Sequence, residues 1–357
     1  MSTFLSIIFA IFLFSLLIFV HELGHFLTAK AFKVRVNEFA MFMGPAIFKK
    51  QIGETLYSLR CIPIGGYCAM EGEDEDTDDP RSFQKAAWWK RLIILVAGAA
   101  MNFIAGILLF AIVFMPMKQM AVPVIEGFTE ESLVCGIDGL QAGDEILKLD
   151  GEKIYVLGDF STILSIHGGE VHDIEILRNG KKLLLNDFQL KPYETIDGAG
   201  NQVLKYGINF KSITPTFLDK LQYVWDFSID NIRNVRMSLQ MLFTGKAGLK
   251  DMSGAVGIVA IMSDAATESE TWKDAMITMV YFCGFLAVNL AVMNLLPIPA
   301  LDGGRAVALL LTTAIQAITK KKIDPKYEGY IHAAGMILLL AFMALITFKD
   351  IFTIFKR

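Results

Sequence analysis

Four long segments of this chain lack Asp, Glu, Lys and Arg, and they constrain its fold more than any other feature. These segments are residues 4–20, 92–117, 275–301 and 329–348, and only His332 in the last of them charges near neutral pH. A helix needs about 20 apolar residues to cross the hydrocarbon core of a bilayer. The sequence therefore predicts an α-helical, polytopic membrane protein with four transmembrane helices.

The first apolar segment raises the question of a signal peptide, which needs a positive start and a small-residue cleavage site. No Lys or Arg precedes Lys30, and the segment runs directly into H-E-L-G-H at 21–25. We therefore predict a retained helix.

The distribution of Lys and Arg predicts how the chain crosses the membrane, because positive residues stay on the cytoplasmic side. Positive residues crowd two connections: Lys30, Lys33, Arg35, Lys49, Lys50, Arg60, Arg81, Lys85, Lys90 and Arg91 in the first, and Arg305, Lys320, Lys321, Lys322 and Lys326 in the second. Both connections should be cytoplasmic, with both termini and residues 118–274 outside. Cys135 would then be the one cysteine outside, and no disulfide is expected.

The first cytoplasmic connection contains an apolar, extended stretch, 54–70, with Gly65 and Gly66 suited to a turn or a close backbone approach. It predicts a membrane-associated β-hairpin or small sheet. Such a sheet either accepts a substrate by strand addition or is a structural cover. The following acidic run, Glu71–Asp79, lacks the glycine and closing glutamate of a calcium loop and is predicted to be a solvated loop.

Outside the membrane, short β-like runs and a glycine-rich segment, Gly139–Ile154, resemble the core of a PDZ domain. The family resemblance implies a small α/β domain that senses or filters substrates. His167 and His172 in this region are expected at the surface and not at a metal. Beyond it, apolar residues recur at helical spacing over 217–242, which predicts an amphipathic helix on the membrane surface or against the spans.

The chemistry of the chain centres on His21 and His25, which lie one helical turn apart on the same face, with Glu22 beside them. In the H-E-x-x-H pattern, two histidines bind zinc and the glutamate acts as the base on its water. Ionisable side chains in or near hydrocarbon are costly unless they are paired or functional. We therefore predict a metal site and not an ordinary polar helix surface.

A catalytic zinc site takes a third protein ligand and keeps one position open. The third span ends in N-L-L-P-I-P-A-L-D-G-G, where Pro297 and Pro299 prevent a regular helix. Irregular backbone at membrane depth is tolerated only when it is buried or lines a wet cavity. Asp302 is therefore the predicted third ligand. His332, near the start of a span, is the competitor.

The order of these features resembles the bacterial site-2 protease family, the intramembrane zinc metalloproteases that include regulator-of-sigma-E proteases. The resemblance rests on H-E-L-G-H, the PDZ-like insert, and the run from Asn294 through Pro297 to Asp302-Gly303. It implies a Zn²⁺ cofactor, Glu22 as the base, and a substrate site shaped by Asn294 and Pro297. Two departures, Ala99 and Ala255, stand where the family often has proline.

The resemblance also implies the biology: a multi-pass enzyme of the bacterial cytoplasmic (inner) membrane. Its substrates would be single-span proteins, such as anti-sigma factors or signal-peptide remnants, already trimmed outside by an upstream site-1-type protease. Gly65 and Gly66 would present the hairpin to the unwound substrate. The net charge of −4 argues against nucleic acid as a partner.

Two rival classes make different predictions. A scaffold with structural zinc requires four protein ligands and no base, and an ion transporter requires inverted repeats, which the sequence lacks. The predicted divisions are 1–30 (first span), 31–90 (cytoplasmic loop with hairpin), 91–117 (second span), 118–213 (PDZ-like domain), 214–274 (amphipathic helix and connector), 275–304 (third transmembrane segment), 305–328 (cytoplasmic loop) and 329–357 (fourth span).

Overall fold

A computed structural model of the chain describes residues 3–73, 77–129, 139–196, 202–248, 250, 252–320 and 325–356. The chain forms two compact units, one of residues Met1–Val113 with Asn231–Arg357 and the other of Phe114–Asp230. The elements of the first unit are α1 (Thr3–Ala31), β1 (Val36–Ile52), β2 (Thr55–Met70), a 3-10 turn (Phe83–Lys85) and α2 (Trp88–Phe114, ending in the second unit).

The second unit holds β3 (Met120–Phe128), β4 (Glu145–Leu149), β5 (Glu152–Lys153), α3 (Gly158–His167), β6 (Val171–Arg178), β7 (Lys181–Gln189), β8 (Tyr193–Ile196), β9 (Gln202–Lys205) and β10 (Ile208–Ile213). The helix α4 (Phe217–Phe243) begins there and ends in the first unit, which continues with α5 (Ala255–Thr267), α6 (Trp272–Asn294), α7 (Asp302–Thr319) and α8 (Pro325–Lys356).

Four helices are long and apolar enough to cross a membrane, which confirms the predicted number of spans. They are Thr3–Ala31, Trp88–Phe114, Trp272–Asn294 and Gly329–Thr353. Most large side chains on their outer faces are exposed, as expected for helices whose partner is lipid. The chain is a multi-pass membrane protein.

The first span packs on two neighbours through small and flexible side chains. Their shared core is made of Ala10, Leu13 and Leu17 from α1, Met262 and Ala266 from α5, and Ala275, Met279, Cys283 and Ala287 from α6. Small residues let helix backbones approach closely where no water drives association. The helix α5 was not foreseen from the sequence, because its 13 residues are too few to form a span.

The N-terminus of α5 is held by a carboxylate from α8. Asp350 Oδ2 accepts hydrogen bonds from the backbone N–H groups of Gly254 (2.8 Å) and Gly257 (2.9 Å). The first N–H groups of a helix have no partner within the helix, so this distant side chain acts as their cap. A Cβ on either glycine would meet Asp350, which explains the glycines of the G-A-V-G run.

The predicted hairpin is present as β1 and β2, but its turn lies at Gly53 and Glu54 and not at Gly65-Gly66. The hairpin curls, so that Glu38–Met41 pairs with Gly66–Ala69 on one side and with Leu56–Leu59 on the other. Gly66–Met70 is therefore left as an edge of the sheet. The sequence predicted either a turn or a close backbone approach at Gly65 and Gly66, and the structure shows the close approach.

A polar cluster ties the curled hairpin together. Glu38 Oε1 accepts hydrogen bonds from Ser58 Oγ (2.6 Å) and from Arg60 (2.8 Å), and Arg60 also contacts the Tyr67 hydroxyl. Burial alone would raise the pKa of Glu38, but the hydrogen bonds from Ser58 and Arg60 outweigh it and lower the pKa. The carboxylate thus stays ionised and keeps the hairpin closed.

The acidic run after β2 is not simply solvated, which corrects the sequence prediction for its described residues. Glu71 accepts a hydrogen bond from Asn37 (2.7 Å), Glu73 pairs with Arg305, and Asp79 pairs with Arg35 (3.1 Å). Residues 74–76 lie outside the described residues. Both ends of the acidic run are therefore held by hydrogen bonds or ion pairs with amide or basic side chains.

The second unit is built on an antiparallel sheet in the order β10-β3-β4-β6-β7, with β5 paired to β4. Asp144, in the glycine-rich run, is buried and binds both Arg178 (2.7 Å) and the N–H of Gln141 (2.8 Å). His172 is buried and bonds Asp150 (2.7 Å), so its predicted surface position is wrong. The PDZ resemblance stays a prediction, and Cys135 lies outside the described residues.

Two predicted connections are helical. Residues 217–243 form the expected amphipathic helix α4, whereas the cytoplasmic loop predicted at 305–328 is largely the helix α7. The sequence reading missed α7 because apolar and polar residues alternate there at helical spacing without reaching the length of a span.

Candidate active site

The first two spans cross where only small residues fit. Gly24 of α1 lies against the backbone of Ala97 in α2, so that a Cβ on Gly24 would overlap the Ala97 carbonyl. This crossing brings one face of α2 against the helical turn that carries His21 and His25. The H-E-L-G-H segment is therefore packed inside the protein and does not face lipid.

Three candidate ligand atoms converge at this crossing. The Nε2 atoms of His21 and His25 lie 3.2 Å apart, and Asp302 Oδ2 lies 3.0 Å from the first and 3.2 Å from the second. Among the described residues, these three side chains are the group whose geometry suits a metal ion. The structure thus brings together the two histidines and the carboxylate predicted from the sequence.

The chemistry of this triangle fits zinc. His25 Nδ1 lies 2.8 Å from the carbonyl oxygen of Ile94, which can only accept, so Nδ1 carries the proton and Nε2 presents a lone pair to Asp302. Asp302 Oδ2 is buried without a hydrogen-bond partner among the described residues. Tetrahedral zinc with bonds of about 2.0–2.1 Å separates its ligands by about 3.3 Å, close to the observed spacing.

Gly98 of α2 lies directly against the two imidazoles. A Cβ at this position would overlap His25 Nε2 and would lie 2.7 Å from His21 Cε1 and 2.8 Å from His21 Nε2. The lack of a side chain therefore keeps this side of the triangle open. The neighbouring Ala99, where the family often has proline, is buried in a continuous α2.

Asp302 reaches the histidines because the chain breaks after α6. The helix ends at Asn294, turns through 295–301, and restarts with Asp302 in the first turn of α7, where a carboxylate suits the helix dipole. Gly303 and Gly304 let α7 press against the backbone of this turn, since a Cβ on either would overlap it. Glycine is therefore required after Asp302.

His332 supports the same turn from α8. Its Nδ1 accepts a hydrogen bond from the N–H of Ala300 (3.2 Å), a residue with φ +80°. This is a packing role, and His332 does not belong to the three-residue group that suits a metal.

Glu22 lies between the ligands and the sheet edge. Its carboxylate is close in space to His21, His25 and Asp302 and to the backbone N–H of Cys68. A Cβ at Gly66 would lie 3.4 Å from Glu22 Cγ and 3.1 Å from Ala40 O. The edge strand therefore passes directly beside the predicted base.

The remaining predicted residues are distributed unevenly. Asn294 Nδ2 lies 3.5 Å from His21 Nδ1, so Asn294 is at the site. Pro297 is exposed in the turn between α6 and α7, and Gly65, with φ +81°, packs against Met43. Asn294 and Gly66 thus lie at the cluster, whereas no contact with the ligands is seen for Pro297 or Gly65 among the described residues.

Comparison with known proteins identifies the family of the chain. The model of peptidase family M50 matches residues 9–342. The chain belongs to peptidase family M50. It is 36% identical over 353 residues to a candidate zinc metalloprotease of Clostridium acetobutylicum, covering 98% of both chains. It is 34% identical over 369 residues to another from Fusobacterium nucleatum, covering 99% of this chain and 100% of the relative.

A further relative carries a specific name. Zinc metalloprotease RasP of Geobacillus kaustophilus is 27% identical over 434 residues, covering 97% of each chain. With the family match, these similarities make the chain a zinc metalloendopeptidase of the site-2 protease type, with Zn²⁺ as its cofactor.

Sequence reasoning missed the contribution of the second span to this M50 site. Ile94, Gly98 and Asn102 recur every four residues, which places them on one face of α2. In the structure Ile94 and Gly98 contact His25, and Asn102 Nδ2 lies 3.4 Å from His21 Nδ1. The spacing was available as a signal, but the Ile94 contact is made by a backbone carbonyl, for which no residue type is diagnostic.

Proposed function

We propose that this M50 enzyme cleaves transmembrane segments of single-span membrane proteins, with His21, His25 and Asp302 as its zinc ligands and Glu22 as its base. The observation that carries the proposal is the triangle of two Nε2 atoms and one carboxylate oxygen beside Glu22, on a helix of spanning length. Three protein ligands leave one position for water or substrate, as in catalytic zinc sites.

The reaction is hydrolysis of a peptide bond. Bound zinc supplies Lewis acidity, which polarises a carbonyl and lowers the pKa of a water to about 7. Glu22 accepts a proton from the attacking water as its oxygen adds to the carbonyl carbon. When the C–N bond breaks, Glu22 returns this proton to the leaving nitrogen. Asn294, half-buried beside His21, holds the substrate near the reacting carbonyl.

The substrate must be extended at the cleaved bond, since a helix keeps its carbonyls in hydrogen bonds. The backbone N–H groups of residues 66 and 68 point the same way in the edge strand, and the Cys68 N–H faces Glu22. We propose that the unwound segment adds to this edge, with the Gly66 N–H and carbonyl as its backbone partners. Gly65 gives the strand its bend, and Pro297, in the turn that follows Asn294, helps to shape the substrate site.

An apolar groove of about 460 Å³ provides a place for the helical part of the substrate. It runs between the second half of α4 and the end of α6, and its lining is Ile232, Arg236, Leu239, Gln240, Phe243, Thr244, Val292 and Leu296. Leu296 follows Asn294 by two residues, so the lining of the groove includes a residue of the same turn that carries Asn294 at its start.

The finer biology follows the same proposal. Anti-sigma factors or signal-peptide remnants, trimmed outside by an upstream site-1-type protease, are the proposed substrates. The enzyme would lie in the bacterial cytoplasmic (inner) membrane, with its termini and the PDZ-like domain outside, as the positive residues of the two connections favour.

The decisive experiment is Glu22→Gln in the purified full-length enzyme. Cleavage of a single-span model substrate should be lost while bound zinc stays near one per chain, because a base and not a ligand has been removed. Glu22→Gln with full activity would refute the mechanism. The scaffold alternative predicts a fourth protein ligand, whereas the metal-suited group among the described residues has three members.

A further inference from the structure

The two histidines of the site need the same proton arrangement. Each must direct a lone pair on Nε2 towards the metal, so each must carry its proton on Nδ1 and donate it to an acceptor. For His25 the acceptor is the Ile94 carbonyl, at 2.8 Å. His21 needs an equivalent acceptor.

Two asparagine amides approach His21 Nδ1. The nearest atom of Asn102 is Nδ2, at 3.4 Å, and that of Asn294 is also Nδ2, at 3.5 Å. An amide nitrogen only donates, so neither contact satisfies a protonated Nδ1.

Asn102 carries a second, independent anomaly. Its side chain is 1% exposed, and its Oδ1 is buried without a hydrogen-bond partner among the described residues. Buried polar oxygens are almost always paired. A rotation of this amide by 180° exchanges oxygen and nitrogen, which places Oδ1 at His21 Nδ1 and resolves both problems.

We propose that Asn102 is a positioning residue of the zinc centre, whose Oδ1 accepts the Nδ1–H hydrogen bond of His21. The inference rests on the zinc ligation by His21 proposed above. This hydrogen bond fixes the ring orientation of His21 and the tautomer that presents Nε2 to the metal.

Burial and helix position favour Asn102 over Asn294 for this role. Asn102 lies in the middle of α2, on the face that also provides Ile94 and Gly98, and solvent does not reach it. Asn294 ends α6 and is only half-buried, so it stays available to the substrate. The second span would thus orient both histidines, one through a carbonyl and one through an amide.

The test measures zinc affinity of the purified full-length protein by competition with a chelator. Asn102→Leu removes the acceptor at similar volume and should weaken zinc binding about 10- to 100-fold. Asn102→Asp keeps an acceptor and should bind zinc at least as tightly as the wild type. The matched control, Asn294→Leu, should keep its zinc affinity and lower kcat/KM.

Each result decides the proposal. Zinc binding unchanged in Asn102→Leu would overturn it, as would weakened binding in Asn102→Asp, which is expected if the amide donates instead. Should Asn102→Leu fail to fold, the zinc affinity of Asn102→Asp alone still shows whether the side chain at 102 accepts or donates the hydrogen bond. His21→Ala tests the ligand role of His21 separately from the positioning role of Asn102. If this variant kept zinc, the proposed ligand set would fail independently of Asn102.

Discussion

Replacing Gly98 by alanine tests the crossing of the first two spans with a single methyl group. The new Cβ would overlap His25 Nε2 and lie 2.7–2.8 Å from the ring atoms Cε1 and Nε2 of His21. Carbon contacts in proteins settle at about 3.5–4.0 Å, so the rings or the helix must move by about 1 Å. Metal sites tolerate errors of about 0.2 Å in ligand distance. We therefore expect Gly98→Ala to lose tight zinc binding.

The magnitude follows from the cost of overpacking. An extra methylene in a close-packed interior costs about 1–3 kcal/mol, and each 1.4 kcal/mol is tenfold in affinity. If this cost falls on the zinc-bound form, affinity drops about 5- to 140-fold. Relief of the clash by separation of α1 and α2 would add a loss of thermal stability in the zinc-free protein.

The assay is chelator competition in detergent, together with cleavage of a single-span substrate. The matched control is Gly106→Ala, two turns further along α2, where the new Cβ would meet a side-chain atom of Val288 at 2.6 Å and no ligand. It should cost packing but leave zinc affinity near that of the wild type. Equal zinc affinity in Gly98→Ala and the wild type would refute the reasoning.

Three further predictions concern the ligands, the sheet edge and the second unit. Asp302→Ala should lose both zinc and activity, whereas His332→Ala should keep zinc; zinc analysis giving the reverse pattern would exchange their roles. Gly66→Pro removes the outward N–H and should lower kcat/KM while zinc stays bound. Gly66→Ala adds a Cβ but keeps the N–H, so its kcat/KM should fall much less. An equal loss in both variants would indicate that crowding, and not the lost N–H, lowers the activity. Replacing residues 122–211 by a flexible linker should leave zinc binding unchanged and permit cleavage of untrimmed substrates if the domain excludes bulk; slower cleavage of trimmed substrates alone would indicate recruitment.

The spans, and the three side chains that converge into a group suited to a metal, were predictable because each is encoded locally. Charge-free stretches of sufficient length leave a helix few alternatives in a membrane, and two histidines four residues apart share a helix face. Asp302 followed from the prolines that precede it. In each case a few neighbouring residues carry the physical reason.

What could not be predicted depends on contacts between distant segments. The Ile94 carbonyl at His25 has no side-chain signature, and the pairing of Glu38–Met41 with two different stretches of β2 requires the hairpin to curl. Burial of His172 needed its partner, Asp150, 22 residues away. The helix α7 was mistaken for a loop because its 18 residues form an amphipathic helix and not an apolar span.

The cap that Asp350 provides for α5 makes the order of synthesis matter. The helix α5 packs on α1, which carries the histidines, yet the carboxylate that holds its N-terminus belongs to α8, which is translated later than α5. Until that helix enters the bilayer, the amides of Gly254 and Gly257 lack this partner, and the turn before Asp302 lacks His332. The packing around α5 and around the turn before Asp302 should therefore be completed only after α8 has entered the bilayer.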